Sequence, residues 1–232
     1  MKAFQFNTTP GIRFGSDYSV STAEEVSKKL GKKILFVTDP GLVKIGLHEK
    51  TITELQKYSE IIIFDNVEAD PSIKTLMDCV QQGRDFDATG VIGFGGGSSM
   101  DVSKLTALLI GSNENIHEAW GVANAKGPRL PLALYPTTSG TGSEVTPISI
   151  ITQEDLEKKG VSSPIILPDL AILDPILTLG LPPHITAATG IDAMVHAIES
   201  YASKSVNNNL ISKTLAKEAL KLLGGSIRQA VL

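Results

Sequence analysis

Three stretches of the chain carry residue types whose spacing suits chemistry. The first, Thr89-Gly-Val-Ile-Gly-Phe-Gly-Gly-Gly-Ser-Ser-Met-Asp101, sets a short apolar run against three consecutive glycines and two serines. An apolar-periodic segment from Met100 to Leu109 follows. The pattern predicts a buried strand, a tight turn and the start of a helix. Glycines admit positive φ and leave no Cβ between main-chain N–H groups and a ligand. The first N–H groups of a helix lack intrahelical partners and sit at the positive end of its dipole. Such a turn suits an anion, above all a pyrophosphate, held by backbone donors and by the Ser98 or Ser99 hydroxyl. No Gly-Lys-Ser/Thr follows, which excludes the ATP-type phosphate loop. The spacing is a near miss of the Rossmann glycine fingerprint, ending in serine. Taken alone, it is equally a glycine-rich turn with no ligand.

The second stretch is Pro136-Thr-Thr-Ser-Gly-Thr-Gly-Ser-Glu144, a hydroxyl-rich loop after the apolar run Leu130–Leu134. Open α/β sheets bind ligands at the carboxyl ends of their strands, although a plain polar loop has the same composition. The third lies in Ile191–Tyr201, a segment apolar almost all round and therefore expected to be a buried helix. Its polar exceptions Asp192, His196 and Glu199 fall at i, i+4 and i+7, on one face. A carboxylate and an imidazole one turn apart can both reach a single cation. Zinc, iron and manganese all suit that pair. Two other readings stay open: Asp192 in a capping box with Thr189, and His196 as a satisfied core histidine.

These stretches need elements to hold them. Phe4, Phe6, Ile12 and Phe14 alternate with polar residues around Pro10-Gly11 and predict two short edge strands. Ser21-Thr-Ala-Glu24 reads as a capping box opening a helix that closes near Leu30-Gly31. Strands are expected at Ile34–Val37, ended by Thr38-Asp39-Pro40-Gly41, and at Ile61–Phe64, with a helical stretch following Gly41 to about Tyr58 and another from Pro71-Ser72 to Gln82-Gly83. Ser149–Thr152 and Leu170–Leu173 are expected to complete the sheet, with a charged hairpin-like stretch, Gln153–Gly160, between them. This βαβα alternation of apolar strand runs predicts a parallel sheet covered on both faces. After Leu181-Pro-Pro183 no strand pattern recurs, so residues 1–181 are expected to form an α/β domain and 182–232 a helical one.

The chain has 232 residues, 42% hydrophobic and 20% charged, which fits a globular protein rather than a disordered or membrane one. A net charge of −4 without a basic cluster argues against nucleic acid. Met1 to Gly15 has no apolar core of a signal peptide, and no apolar run approaches membrane-spanning length. Cys79 stands alone, so no disulfide framework is expected and the cytoplasm is the simplest setting.

With these blocks placed, the sequence closely resembles the iron-containing (group III) alcohol dehydrogenases. The resemblance is carried by Gly93–Asp101, by Pro136–Glu144, by Leu167-Pro-Asp-Leu-Ala-Ile-Leu-Asp-Pro175 and by Thr186-Ala-Ala-Thr-Gly-Ile-Asp-Ala-Met-Val-His-Ala-Ile-Glu199. The wider superfamily includes glycerol dehydrogenase and dehydroquinate synthase, which resemble the glycine turn but not the Gly-Thr-Gly-Ser-Glu loop. The resemblance implies a Rossmann-like dinucleotide-binding domain followed by a helical metal domain, and hydride transfer between a nicotinamide cofactor and an alcohol/aldehyde pair. It implies a cofactor set of Asp39, Gly96, Gly97, Ser98, Asp101, Thr137, Thr138, Thr141 and a lysine, Lys158 or the adjacent Lys159, with Asp39 meeting the adenosine ribose. Asp192 and His196 are implied as metal ligands for Fe2+, or for Zn2+ or Mn2+, and the assembly as a homodimer. Asp39 favours NAD over NADP, because a carboxylate repels a 2′-phosphate. There are two departures. Asp70-Pro71 stands where the family often has Asn before Pro, and two further histidine ligands expected from later helices find no match in His48, His117 or His184. The expectation is therefore a fragment of a longer enzyme or a natural truncation. The competing functions are a catalytically incomplete dinucleotide-binding fragment and, disfavoured by the hydroxyl loop, a dehydroquinate-synthase-like lyase.

Overall fold

Short apolar runs, closed by or just before Gly, Pro or Asp, supply the strands of the main sheet. The computed structural model describes residues 3–232, which divide into two units. One comprises residues 8–137 and 143–177; the other comprises 3–7, 138–142 and 178–232. The first contains β1 (Gly11–Phe14), α1 (Tyr18–Ser21), α2 (Ala23–Leu30), β2 (Lys33–Val37), α3 (Pro40–Lys44), α4 (Glu49–Leu55) and β3 (Glu60–Phe64). It continues through α5 (Ile73–Asp85), β4 (Gly90–Gly95), α6 (Gly97–Ser112), α7 (Ile116–Ala119), β5 (Gly121–Val122) and β6 (Leu132–Pro136). It ends with β7 (Ile148–Thr152), β8 (Lys158–Ser162) and β9 (Leu170–Leu173).

Six strands pair in parallel in the order β1-β9-β6-β4-β2-β3. Their side chains alternate between two cores. Leu35, Val37, Val91, Leu132 and Leu134 pack with Leu76 and Val80 of α5 and Leu105 and Leu108 of α6. Ile34, Phe36, Ile92, Phe94 and Tyr135 pack with Val26 and Leu30 of α2 and Leu55 of α4. Burial on both faces explains why these strands read as continuous apolar runs.

Helix ends follow local chemistry. Ser72 caps α5 by accepting from Thr75 N at 3.1 Å, and Gly31 ends α2 at φ 94°, a value that favours glycine. The Ser21–Glu24 capping box is absent. A separate turn, α1, occupies Tyr18–Ser21, and Thr22 Oγ1 donates to Tyr18 O at 2.6 Å instead of capping α2. Nor do Phe4 and Phe6 lie in a strand: only Gly11–Phe14 finds a partner, beside β9 at the sheet edge. The third difference is β7, which does not join the main sheet. It pairs antiparallel with β8, and β5 adds to β8, as a separate three-stranded sheet. Alternating apolar residues alone do not say which sheet a strand joins.

The second unit holds α8 (Pro183–Ala202) and α9 (Leu210–Val231). Pro183 sits at the first helical position, where its missing N–H costs nothing. Asn209 caps α9 by accepting from Ile211 N and Ser212 N at 2.9 and 3.1 Å. Among the described residues no helix is long and apolar enough to cross a membrane.

The contact of α2 with β4 tests the packing directly. A Cβ on Gly90 would lie 2.5 Å from Leu30 O and 2.9 Å from Leu30 Cα, so backbone would have to shift. Gly90→Ala is expected to destabilise by about 1–3 kcal/mol, as overpacking does. Gly160→Ala, whose nearest atom would be Ser149 O at 3.4 Å, is expected to stay within about 0.5 kcal/mol. Urea midpoints at constant m-value check both.

Candidate functional site

Strand register brings the glycine turn, Asp39 and Thr137 to one edge of the sheet. Val37 of β2 and Gly93 of β4 are partners, as are Gly95 of β4 and Pro136 of β6. The residues just beyond these pairs therefore emerge side by side. Chain order reverses here, since β2 leads outward to β3 and β4 leads the other way to β6. That makes the gap between β2 and β4 a topological switch point, where open α/β sheets form their ligand crevice. Gly95 has φ +150°, and a Cβ there would stand 2.7 Å from Ser99 Oγ and 3.4 Å from Asp39 Oδ2. Positive φ thus falls at Gly95, whereas Gly97 is the first residue of α6 and Gly96, at φ −78° and ψ −170°, its N-cap. None of the described side chains caps this helix. The first N–H groups of a helix have no intrahelical partner.

Asp39 has two faces. Its Oδ1 accepts from Leu42 N at 3.0 Å and caps α3, and its Oδ2 faces Gly95, 3.4 Å from where a Cβ would stand. Thr137 is buried, and its N–H donates to Gly95 O at 3.0 Å. Thr138 and Thr141 belong to the other unit, where Gly140 packs against Thr189 of α8.

Asp101 points inward, into a network. Its Oδ1 accepts from Ser143 Oγ at 2.7 Å, its Oδ2 from Ile150 N at 2.9 Å, and its carbonyl from Ser149 Oγ at 2.9 Å. Lys104, fully buried, stands 3.8 Å from Oδ1 and donates to Ser143 Oγ and Ile148 O, both at 2.7 Å. Burial pushes the Asp101 carboxyl up, against the pull of Lys104 and the bonds from Ser143 and Ile150. Burial likewise lowers Lys104 to about 8, although Asp101 and Glu144 favour its charge. Glu144 is raised for the same reason. Lys104 was not singled out from the sequence. The available signal was a lysine inside the apolar run Met100–Leu109, a place where a charge needs partners.

Lys158 leaves β8 and holds Asp70 Oδ1 at 2.7 Å, both side chains being exposed. Thr152 N and Oγ1 donate to Pro71 O and Asp70 O, so the Asp70-Pro71 departure is tied to the small sheet. Lys159 instead lies 3.7 Å from Glu157.

On α8, Asp192 Oδ1 and His196 Nε2 are 3.6 Å apart, with side chains 43% and 53% exposed. Two ligands about 2.1 Å from one tetrahedral cation stand about 3.4 Å apart, so the pair fits a shared metal. The two other readings fail. Thr189 is inside the helix, donating to Ile185 O at 3.0 Å rather than capping, and His196 is no core residue. The expectation of a buried helix fails as well, since Ile191, Val195 and Ile198 are exposed along α8. No group of three or more His, Cys, Asp or Glu among the described residues is arranged to hold a metal.

Comparison with known proteins identifies the family. The family model for iron-containing alcohol dehydrogenase matches residues 9–175, and that for the C-terminal part of the Fe-containing alcohol dehydrogenase family matches 186–232. A sulfoacetaldehyde reductase of Bilophila wadsworthia is 39% identical over 98% of this chain and 59% of its own length. Long-chain-alcohol dehydrogenase 1 of Geobacillus thermodenitrificans is 44% identical over 88% and 52%. The crystal structure of a 1,3-propanediol oxidoreductase superposes with a TM-score of 0.94 at 33% identity, covering 99% of this chain and 60% of that one. A sulfoacetaldehyde reductase of Bifidobacterium kashiwanohense, solved in complex with NAD+, does so at 0.90 with 31% identity, covering 100% and 61%. The chain thus spans between half and two thirds of the length of these relatives. It belongs to the iron-containing alcohol dehydrogenase family.

Proposed function

We propose that the chain serves hydride transfer between NAD(H) and an alcohol/aldehyde pair, as a metal-dependent alcohol dehydrogenase. The observation that carries this reading is the convergence of Asp39, the side-chain-free start of α6 and Thr137 at the switch point between β2 and β4. In this reading Gly96, Gly97 and Ser98 hold the pyrophosphate on backbone N–H groups at the helix start. Asp39 accepts from the ribose hydroxyls, Thr137, Thr138 and Thr141 bound the nicotinamide side, and Lys158 lies towards the cofactor. Asp101 keeps the first turn of α6 in place, and Asp192 and His196 supply two metal donors. When bound, the nicotinamide supplies the hydride acceptor or donor and the metal polarises the alcohol or carbonyl oxygen. Cys79, without a second cysteine, supports a cytoplasmic setting. A homodimer is proposed with it.

One observation favours a second reading, dinucleotide binding without turnover by residues 1–232 themselves. Catalytic metal sites generally have three protein ligands and an open position. Among the described residues, Asp192 and His196 have no third partner of the usual types.

Three outcomes follow. A 2′-phosphate at contact distance from Asp39 costs at least about 1 kcal/mol even in water. NADH is therefore expected to bind at least about fivefold tighter than NADPH, and Asp39→Gly to narrow that gap. Fluorescence titration of both cofactors decides it, and equal or tighter NADPH binding by the wild type refutes the preference. Gly97→Val is expected to weaken NADH binding while the thermal transition survives, since its side chain enters the space the pyrophosphate needs; normal affinity by calorimetry makes the turn structural only. His196→Ala and Asp192→Asn are expected to remove metal-stimulated aldehyde reduction, assayed with iron, zinc and manganese, and to leave NADH affinity intact. Absence of turnover in the wild type with any metal, alongside intact NADH binding, selects the second reading.

A further inference from the structure

Behind the glycine turn lies a charge that the proposed chemistry does not use. Lys104 follows Gly97 by seven residues and Asp101 by three, so all three lie along one side of α6. A fully buried ammonium persists only when partnered. Its partners are Ser143 Oγ and Ile148 O, and Ser143 in turn donates to Asp101 Oδ1. Ile150 N and Ser149 Oγ fasten β7 to the same residue, Asp101. The segment after the hydroxyl-rich loop is thereby clamped to the first two turns of the helix that starts at the glycine turn. The carboxylates acting on Lys104 are Asp101 of its own helix and Glu144 of the turn Ser143–Val145. The other elements packed on α6 add little charge. β4, β7 and the turn Pro164–Ile166 carry no ionisable side chain, and Tyr135 of β6 lies in the opposite core. Lys33 of β2 is spent on Phe86 O and Asp87. On α5, Lys74 pairs with Asp78 in solvent, Asp85 holds Gln81, Arg84 binds Leu109 O and Asn113, and Cys79, beside Thr106 of α6, is pushed up to about 12 by burial and stays neutral.

We propose that Lys104 is a positioning residue for pyrophosphate binding: through Ser143 and Asp101 it locks the glycine turn to the end of the hydroxyl-rich loop, and its buried positive charge offsets Asp101 and Glu144 behind the anion. The inference rests on the reading of the glycine turn as the dinucleotide site. It has a consequence in pH. Burial lowers Lys104 to about 8, so above that pH the free protein loses this charge while Asp101 and Glu144 remain to repel an anion. Bound pyrophosphate favours the protonated amine, so the value in the complex lies above that of the free protein. NADH affinity therefore falls as pH rises from about 8 to the raised value and then levels, and binding in that window takes up a proton.

The test is NADH titration of the full chain from about pH 6.5 to about pH 9.5, for wild type, Lys104→Met and Lys104→Arg. Wild-type Kd is expected to rise about threefold to tenfold across that range, the ratio that a coupling of about half to one pKa unit gives. Lys104→Met is expected to bind weakly throughout with no such slope. Lys104→Arg, whose charge persists at all these pH values, is expected to recover affinity at high pH relative to Lys104→Met, also without the slope. Thermal transitions establish folding of each variant. Should neither fold, the wild type decides alone, because calorimetry in buffers of different ionisation enthalpy must show proton uptake above pH about 8. NADH binding of equal strength across the range with no proton uptake overturns the inference, as does a folded Lys104→Met that keeps the slope. A wild type that binds no NADH at any pH instead overturns the reading of the glycine turn, and the inference falls with it.

Discussion

The parallel pairing of β4 with both β2 and β6 is the constraint on which the candidate site depends. Because Val37 faces Gly93 and Gly95 faces Pro136, three chain segments leave the sheet at one level. A shift of one residue in either pairing would turn every side chain of that strand to the wrong core. Phe36, Phe94 and Tyr135 form an aromatic row across the three strands, with centroids 5.3 and 6.1 Å apart, and this row holds the register from one side. From the other side Gly93 lets α6 approach, for a Cβ there would meet Ser103 Oγ and Leu134 Cδ2 at 2.6 Å. The site is thus positioned by packing two or three residues back along each strand from Asp39, Gly96 and Thr137.

Beneath this frame sits a tension between burial and charge. Asp101 and Lys104 each lose hydration in the interior, and each is pushed towards its neutral form. The cost is offset because nearly every polar atom of the pair is hydrogen-bonded to Ser143, Ile148 or Ile150. Replacing the pair by apolar residues would relieve the tension and remove its side-chain bonds to β7, leaving only that from Ser149 Oγ to the Asp101 carbonyl. A network of this kind contributes geometry more than stability.

The sequence made the main sheet and the glycine turn legible, because both are local signals. Apolar runs closed by Gly, Pro or Asp mark the strands, and three glycines before a helix mark an anion-binding turn. What was not legible is pairing. Ile148–Thr152 has the alternation of a strand, yet its partner is Lys158–Ser162, and nothing in the apolar pattern separates that hairpin from the main sheet. Ser21–Glu24 matches a capping box, but Thr22 turns its hydroxyl back onto Tyr18 O, a choice set by the extra turn Tyr18–Ser21. Lys104 lies within an apolar segment, and its partner Ser143 is 39 residues on, a separation no local pattern spans.

The two halves of the proposed chemistry place unequal demands on the chain. An anion on the start of α6 is met by backbone N–H groups, which every residue but proline supplies, so the requirement there is the absence of side chains. Glycine at 95, 96 and 97 satisfies it, and strand register does the rest. A cation on α8 needs side chains of defined type converging on one point, and helix geometry alone aligns only Asp192 with His196, one turn apart. Further donors must come from elsewhere in space, because Glu199, on the same face of α8, stands two turns, about 10 Å of helical rise, from Asp192. An anion site of backbone can therefore be complete within one strand–turn–helix unit, whereas a metal site of side chains depends on the packing of several helices. The proposed binding and the proposed turnover accordingly rest on separate conditions, and either can be present without the other.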